Sequence, residues 1–137
     1  AVEEGVVPGG GVALVRAISS LDSLESGGDE AIGVNIIRRA LETPVRQLAN
    51  NAGLEGSIII QKIRESEGSQ GYNFDTESYE DLLASGVIDP AKVSRVALQN
   101  AGSIADMLLT TEAVVADAPD DDDEAPPMPH SHGGGMY

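Results

Sequence analysis

The chain contains no cysteine and no tryptophan, and its only aromatic side chains besides histidine are Phe74, Tyr72, Tyr79 and Tyr137. Without cysteine there is no disulfide scaffold, no thiolate nucleophile and no thiolate-bound metal, a composition that fits a reducing compartment. With so few rings, the core falls to aliphatic side chains. Positive charge is scarce as well: 8 Lys and Arg stand against 23 Asp and Glu, a net charge of −15. Such a field repels phosphate backbones and anionic headgroups, which argues against nucleic acid and membrane surfaces as partners. No apolar run approaches the roughly 20 residues of a membrane span, and no signal-peptide pattern opens the sequence. What remains is an aliphatic, glycine-rich, helix-favouring chain of 137 residues, room for one domain and one modest core.

The charge is uneven. Asp117 and the run Asp120, Asp121, Asp122, Asp123 and Glu124 hold six of the acids, leaving −9 for the rest. Residues 117–137 are rich in Pro, Asp, His and Gly and have almost nothing to bury, so the composition predicts a disordered tail. The expected folded unit is residues 1–116.

Along that unit, the opening residues read as the end of a helix that breaks at Pro8, Gly9, Gly10 and Gly11. Leu14, Ile18 and Leu21 then recur at helical spacing, predicting about three amphipathic turns that end at Gly27 and Gly28. Asp29 is a candidate N-cap for a second helix whose stripe is Ile32, Ile36, Ile37, Ala40 and Leu41, with Arg38 and Arg39 opposite. Thr43-Pro44 reads as a fresh cap followed by a first-turn proline, opening a third helix through Val45, Leu48, Ala49 and Ala52 that Gly53 closes. Ser57 is the candidate cap of a fourth, with Ile59, Ile60 and Ile63 facing the core. Residues 67–71 form a loop and residues 72–75 a short strand with a turn. A brief helix through Tyr79, Leu82 and Leu83 stops at Gly86. Asp89-Pro90 is the strongest helix-start signal, followed by Val93, Val96, Ala97, Ile104 and Leu108 at helical spacing. The β-branched residues 110–116 suggest a terminal strand. The expected class is mainly α, a helical bundle with small edge strands and no internal repeat.

Three groups of residues could carry chemistry. The triple glycine lets a ligand approach the backbone closely, and the N–H groups that follow favour an anion, though such turns usually serve as joints. Asp89 could accept hydrogen bonds from sugar hydroxyls or simply cap a helix. Asn73 and Asp75 could orient a base or sugar, or serve only the turn that holds them. His130 and His132 sit in the tail, where two ligands make a poor metal site. With no cysteine and both histidines there, no nucleophile–base pair can be assigned.

The strings AVEEGVVPGGGVAL, ETPVRQLANNAG, GYN, GVIDPAKV and TTEAVV, in this order and spacing over residues 1–116, closely resemble the C-terminal part of group I chaperonins, the sixty-kilodalton heat-shock chaperonins. The resemblance implies the C-terminal half of the equatorial domain: residues 1–8 the end of an intermediate-domain segment and its hinge, with Gly5 at the hinge, 9–116 the ATP-binding half-domain, and 117–137 the tail. It implies ATP or ADP with Mg²⁺ as cofactor. Gly10 would contact the nucleotide, Asn73, Phe74 and Asp75 would lie along base and sugar, and Asp89 would take the ribose hydroxyls. No residue here is matched to catalysis or to a metal. Arg46 and Glu55 resemble charged residues near the ring–ring interface.

The same resemblance implies a homo-oligomeric ring, a ten-kilodalton co-chaperonin and unfolded clients as partners of the complete protein. It points to a bacterial cytoplasm or an organellar matrix. The phosphate-binding loop, the metal-binding aspartate, the water-activating aspartate and the client-binding apical domain have no counterpart in this sequence. The tail also departs from the family's Gly-Gly-Met repeat. The expectation is therefore an ATPase as a complete protein and an inactive chain in isolation. The alternative is a stand-alone acidic helical interaction module without nucleotide binding.

Overall fold

A computed structural model describes residues 1–24 and 27–116. The expected disorder of the tail, and the His130/His132 pair, lie outside the described residues. The fold is mainly helical with two small antiparallel sheets. In chain order the elements are β1 (Val6–Pro8), α1 (Val12–Ala17) running into a 3-10 helix (Ile18–Ser23), α2 (Asp29–Asn51), α3 (Gly56–Glu65), β2 (Gln70–Asn73), β3 (Ser78–Asp81), β4 (Ile88–Pro90) and α4 (Ala91–Thr110). β1 pairs with β4, and β2 with β3.

The core is aliphatic, as the composition requires. Val12, Val15 and Ile18 of the first helical stretch meet Leu41, Val45 and Ala49 of α2 and Ile59, Ile60 and Ile63 of α3, with Tyr72 and Leu82 closing the cluster. On the first stretch the buried positions are Val12, Val15 and Ile18 rather than the expected Leu14, Ile18 and Leu21; Leu14 and Leu21 pack against the cluster from its margin. Gly11 explains that choice. It sits at φ +79°, and a Cβ there would lie 2.8 Å from Val45 Cγ2 and 3.1 Å from Val45 N. Backbone contact with α2 at this point drives Val12 straight into the core.

Pro44 does not start a helix. α2 is one 23-residue helix with Pro44 inside it, and Asp29 is its first residue rather than its cap, Gly28 holding the cap position. Thr43 donates its hydroxyl to the Arg39 carbonyl at 3.4 Å instead of capping. An internal proline costs about 3 kcal/mol in an isolated helix. Here Leu41, Val45 and Ala49 form one buried stripe across the proline, so packing on both sides holds the helix together. The expected stripe at the other end fails: Ile32, Ile36 and Ile37 are exposed. Gly53 ends α2 as expected, with the Leu54 N–H on the Ala49 carbonyl at 2.8 Å and the Gly53 N–H on that of Asn50 at 3.0 Å.

α3 is capped by Glu55, not by Ser57. The Glu55 carboxylate accepts from the Ser57 N–H (3.2 Å) and from its hydroxyl (2.6 Å), and these bonds hold its pKa below the usual carboxylate value. At the far end, Arg16 binds the Ser66 carbonyl, the Ser66 hydroxyl (3.0 Å) and the Gln70 carbonyl (3.1 Å). Burial pulls the pKa of this guanidinium down, and Glu67 partly opposes the effect. One side chain thus ties α1 to the end of α3 and the start of β2.

The stretch read as a brief helix is the second arm of a hairpin. Gln70–Asn73 pairs with Ser78–Asp81, Tyr72 opposite Tyr79 and Asn73 opposite Ser78. The Tyr72 and Tyr79 rings meet edge to face at 4.9 Å, and the Lys62 ammonium lies 4.4 Å from the Tyr79 ring centre. Cross-strand ring pairs and alternation won over the i, i+3 spacing of Tyr79 and Leu82.

The opening residues form a strand rather than the end of a helix: Val6, Val7 and Pro8 lie opposite Pro90, Asp89 and Ile88. That ladder draws residues 88–90 into extended backbone, so Asp89 is not the cap of α4. Pro90 occupies the cap position without any side-chain hydrogen bond, and the helix begins at Ala91. The Ala91 N–H donates to the Gly5 carbonyl at 3.1 Å. α4 continues through Thr110, and residues 111–116 form no strand, because a strand needs a ladder partner that the described residues do not supply. No residue of α4 is buried.

Candidate functional site

Four segments far apart in sequence converge on one cleft of about 460 Å³, lined by Gly10, Gly11, Leu48, Tyr72, Asn73, Phe74, Asp75, Val87 and Asp89. Gly10, Asn73, Phe74, Asp75 and Asp89, the five residues singled out in the sequence, all stand on its walls. The volume falls in the roughly 300–1,000 Å³ range of small-molecule sites.

Each wall has a local cause. Gly10, at φ +63°, follows β1; a Cβ on it would lie 3.7 Å from the Tyr72 carbonyl, so the chain passes close to β2 with bare backbone facing the opening. Gly9 donates its N–H to the Val87 carbonyl at 2.9 Å, which fixes the glycine run against the segment leading into β4. The run is therefore a bonded, tightly packed turn rather than a loose joint. Asp89 owes its place to the β1–β4 ladder, directly opposite Val7. No side chain caps α4, so the Asp89 carboxylate is not used on that helix.

The third wall is the hairpin turn. Asn73 is 6% exposed, its Nδ2 donating to Glu80 Oε1 at 2.5 Å and its Oδ1 accepting from the Asp75 N–H at 2.9 Å. Phe74 packs edge to face on Tyr72 with ring centres 5.0 Å apart. Asp75 is exposed at the rim. The cleft thus offers apolar surface from Phe74, Tyr72, Val87 and Leu48, two carboxylates, one amide and glycine backbone. That mixture suits a ligand with a flat apolar part and hydroxyl groups.

Sequence reasoning missed Glu80, whose only signal was its place one turn past Asn73, and the pairs that tie α4 to the chain's opening residues. Arg95 grips Glu4 with two bonds (3.0 and 2.7 Å), and Lys92 pairs with Glu3. The Arg95 bond holds the Glu4 carboxyl below its usual pKa. These pairs hold the two residues that precede Gly5, which sits at φ +78° just before β1. Arg46 and Glu55 are engaged within the chain, Arg46 with Glu42 at 2.8 Å and Glu55 at the head of α3. Among the described residues no group of three or more His, Asp or Glu side chains could hold a metal ion. No helix among them is long and apolar enough to cross a membrane.

Residues 1–119 match the family model described as the TCP-1/cpn60 chaperonin family. Among solved structures, the chain is similar to the open-state monomer of a group II chaperonin from Methanococcoides burtonii, at 29% identity and a TM-score of 0.67. The match covers 77% of this chain and 28% of that one.

Proposed function

The chain belongs to the TCP-1/cpn60 chaperonin family, and from that premise we propose that its cleft is one wall of an adenine-nucleotide pocket. The observation that carries this reading is the convergence of Gly10, residues 73–75 and Asp89 on a single cleft from three distant segments. In it, Phe74 and its neighbours line the base, and the bare backbone at Gly10 lets the nucleotide approach closely. Asp89 accepts hydrogen bonds from both ribose hydroxyls; a carboxylate offers only acceptors, which suits a vicinal diol.

ATP with Mg²⁺ would supply phosphoryl-transfer chemistry in the complete protein, and this chain's own residues do the recognising. We assign the chain to group I on its motif strings, with residues 1–8 as hinge segment, 9–116 as half of the equatorial domain and 117–137 as tail. The β1–β4 ladder beginning at Val6, one residue past Gly5, supports a pivot at that glycine. Complete, the protein would be a cytoplasmic ATP-hydrolysing ring that works with a ten-kilodalton co-chaperonin on unfolded clients. α4, with no buried residue over twenty, supports a role in assembly.

Calorimetric titration of the chain with ADP and ATP tests the nucleotide reading. Saturable binding that Asp89→Ala weakens supports it. Absence of binding in the folded wild-type chain overturns it and favours an acidic interaction module.

A further inference from the structure

We propose that Glu80 is a positioning residue of this cleft, setting the amide of Asn73 in one orientation so that a nucleotide base meets a defined donor–acceptor edge. This rests on the nucleotide reading above.

A side-chain amide has two ends of similar shape and opposite hydrogen-bonding sense. In the cleft both ends are specified. Glu80 presents an acceptor-only carboxylate to Nδ2 at 2.5 Å, and the Asp75 backbone presents a donor-only N–H to Oδ1 at 2.9 Å. Turning the amide over would set oxygen against carboxylate and NH₂ against N–H. At 6% exposure, water cannot relieve either mismatch. One N–H and one lone pair of Asn73 remain for a ligand, always in the same places.

The sheet register puts Glu80 in reach. Asn73 lies opposite Ser78 and Gly71 opposite Glu80, so Glu80 is the diagonal neighbour of Asn73 on one face of the hairpin. The carboxylate is braced in turn by the Thr76 hydroxyl at 3.3 Å, itself bonded to Ser78 Oγ at 2.8 Å. The turn also carries Glu77 at φ +53°, the one non-glycine residue with positive φ among the described residues. A braced turn of this kind holds its amide still before a ligand arrives, which lowers the ordering cost of binding.

The test compares the wild-type chain with Glu80→Ala, Glu80→Gln and Asp89→Ala, each titrated with ADP and followed by thermal melting. Glu80→Ala should lose about tenfold in ADP affinity, the scale of one lost hydrogen bond, together with a modest fall in Tm from the unpaired Asn73 amide. Glu80→Gln, whose Oε1 can still accept from Asn73, should restore affinity to near wild type. A fall in Tm with unchanged affinity in Glu80→Ala would make Glu80 a hairpin staple and overturn the proposal. So would ADP binding that Asp89→Ala weakens and Glu80→Ala does not, which leaves the nucleotide reading standing. If folded wild-type chain binds no ADP, both fall together. Should Glu80→Ala fail to fold, the side-chain NH₂ resonances of Asn73 in the wild-type chain decide. They should shift on saturation with ADP and stay still with a ribose triphosphate that lacks a base; no shift with ADP overturns the proposal.

Discussion

Two helices of this chain look alike in sequence and behave oppositely in the fold. α3 and α4 both carry aliphatic stripes at helical spacing. α3 buries Ile59, Ile60 and Ile63 against α1 and α2. α4 buries nothing; Ile104 is 58% exposed and Met107 65%. α2 repeats the contrast within one element, with Leu41, Val45 and Ala49 buried and Ile32, Ile36 and Ile37 open. An amphipathic stripe reports that a helix has an apolar partner somewhere, and the stripe is written the same way whether or not that partner lies in the same chain.

Mutations that break this comparison should differ most in size. Ile63→Ala removes a fully enclosed side chain and should cost about 2–5 kcal/mol in chemical denaturation, whereas Ile104→Ala should stay within about 0.5 kcal/mol. Equal losses at the two sites would mean that α4 packs in solution.

Asp89 tests the contrast between a residue placed for stability and one that, as proposed, serves a ligand. Because Asp89 does not cap α4, Asp89→Ala and Asp89→Asn should both melt like wild type. Both should weaken ADP binding by about 1.5–3 kcal/mol, the scale of a hydrogen bond to a charged group. A drop in Tm confined to the Ala variant would return Asp89 to the role of a cap.

Gly11→Ala probes the contact between the glycine turn and α2. Left-handed backbone costs an L-residue about 1–2 kcal/mol, and the new methyl would press on Val45 as well. Gly5→Ala at a similar φ meets no atom within 4 Å and should show only the backbone part. Equal melting losses at the two glycines would show that α1 and α2 do not approach as closely as described.

The smallest effect is acid sensitivity. Glu4, held down by Arg95, and Glu55, held down by Ser57, both have folded-state pKa values below the ordinary 4.5. Their contribution is full above that value and is lost as pH falls through the depressed values, because the unfolded chain takes up protons first. Tm should therefore fall below about pH 4.5, and Glu4→Gln should flatten part of that slope. An unchanged slope in Glu4→Gln would remove the α4 tether from the account.

Composition and local pattern determined a good deal here. With almost no aromatics the core had to be aliphatic, and Ile59, Ile60 and Ile63 were placed by spacing alone. Gly53 ended its helix because few other residues accept positive φ cheaply. The five cleft residues were legible through resemblance; chemistry alone favoured a structural role for Gly10, Asn73, Asp75 and Asp89 and did not single out Phe74. Tertiary structure decided the rest. Thr43-Pro44 carries every local mark of a helix start, and only a continuous buried stripe overrides it. Asp89-Pro90 is a strong cap signal undone by Val6–Pro8, a strand some eighty residues away that no local window can weigh. The Asn73–Glu80 bond depends on which residues of two strands stand opposite, a matter of register. Spacing along a chain fixes which side chains share a face, and contact between faces depends on pairings that only the folded molecule selects.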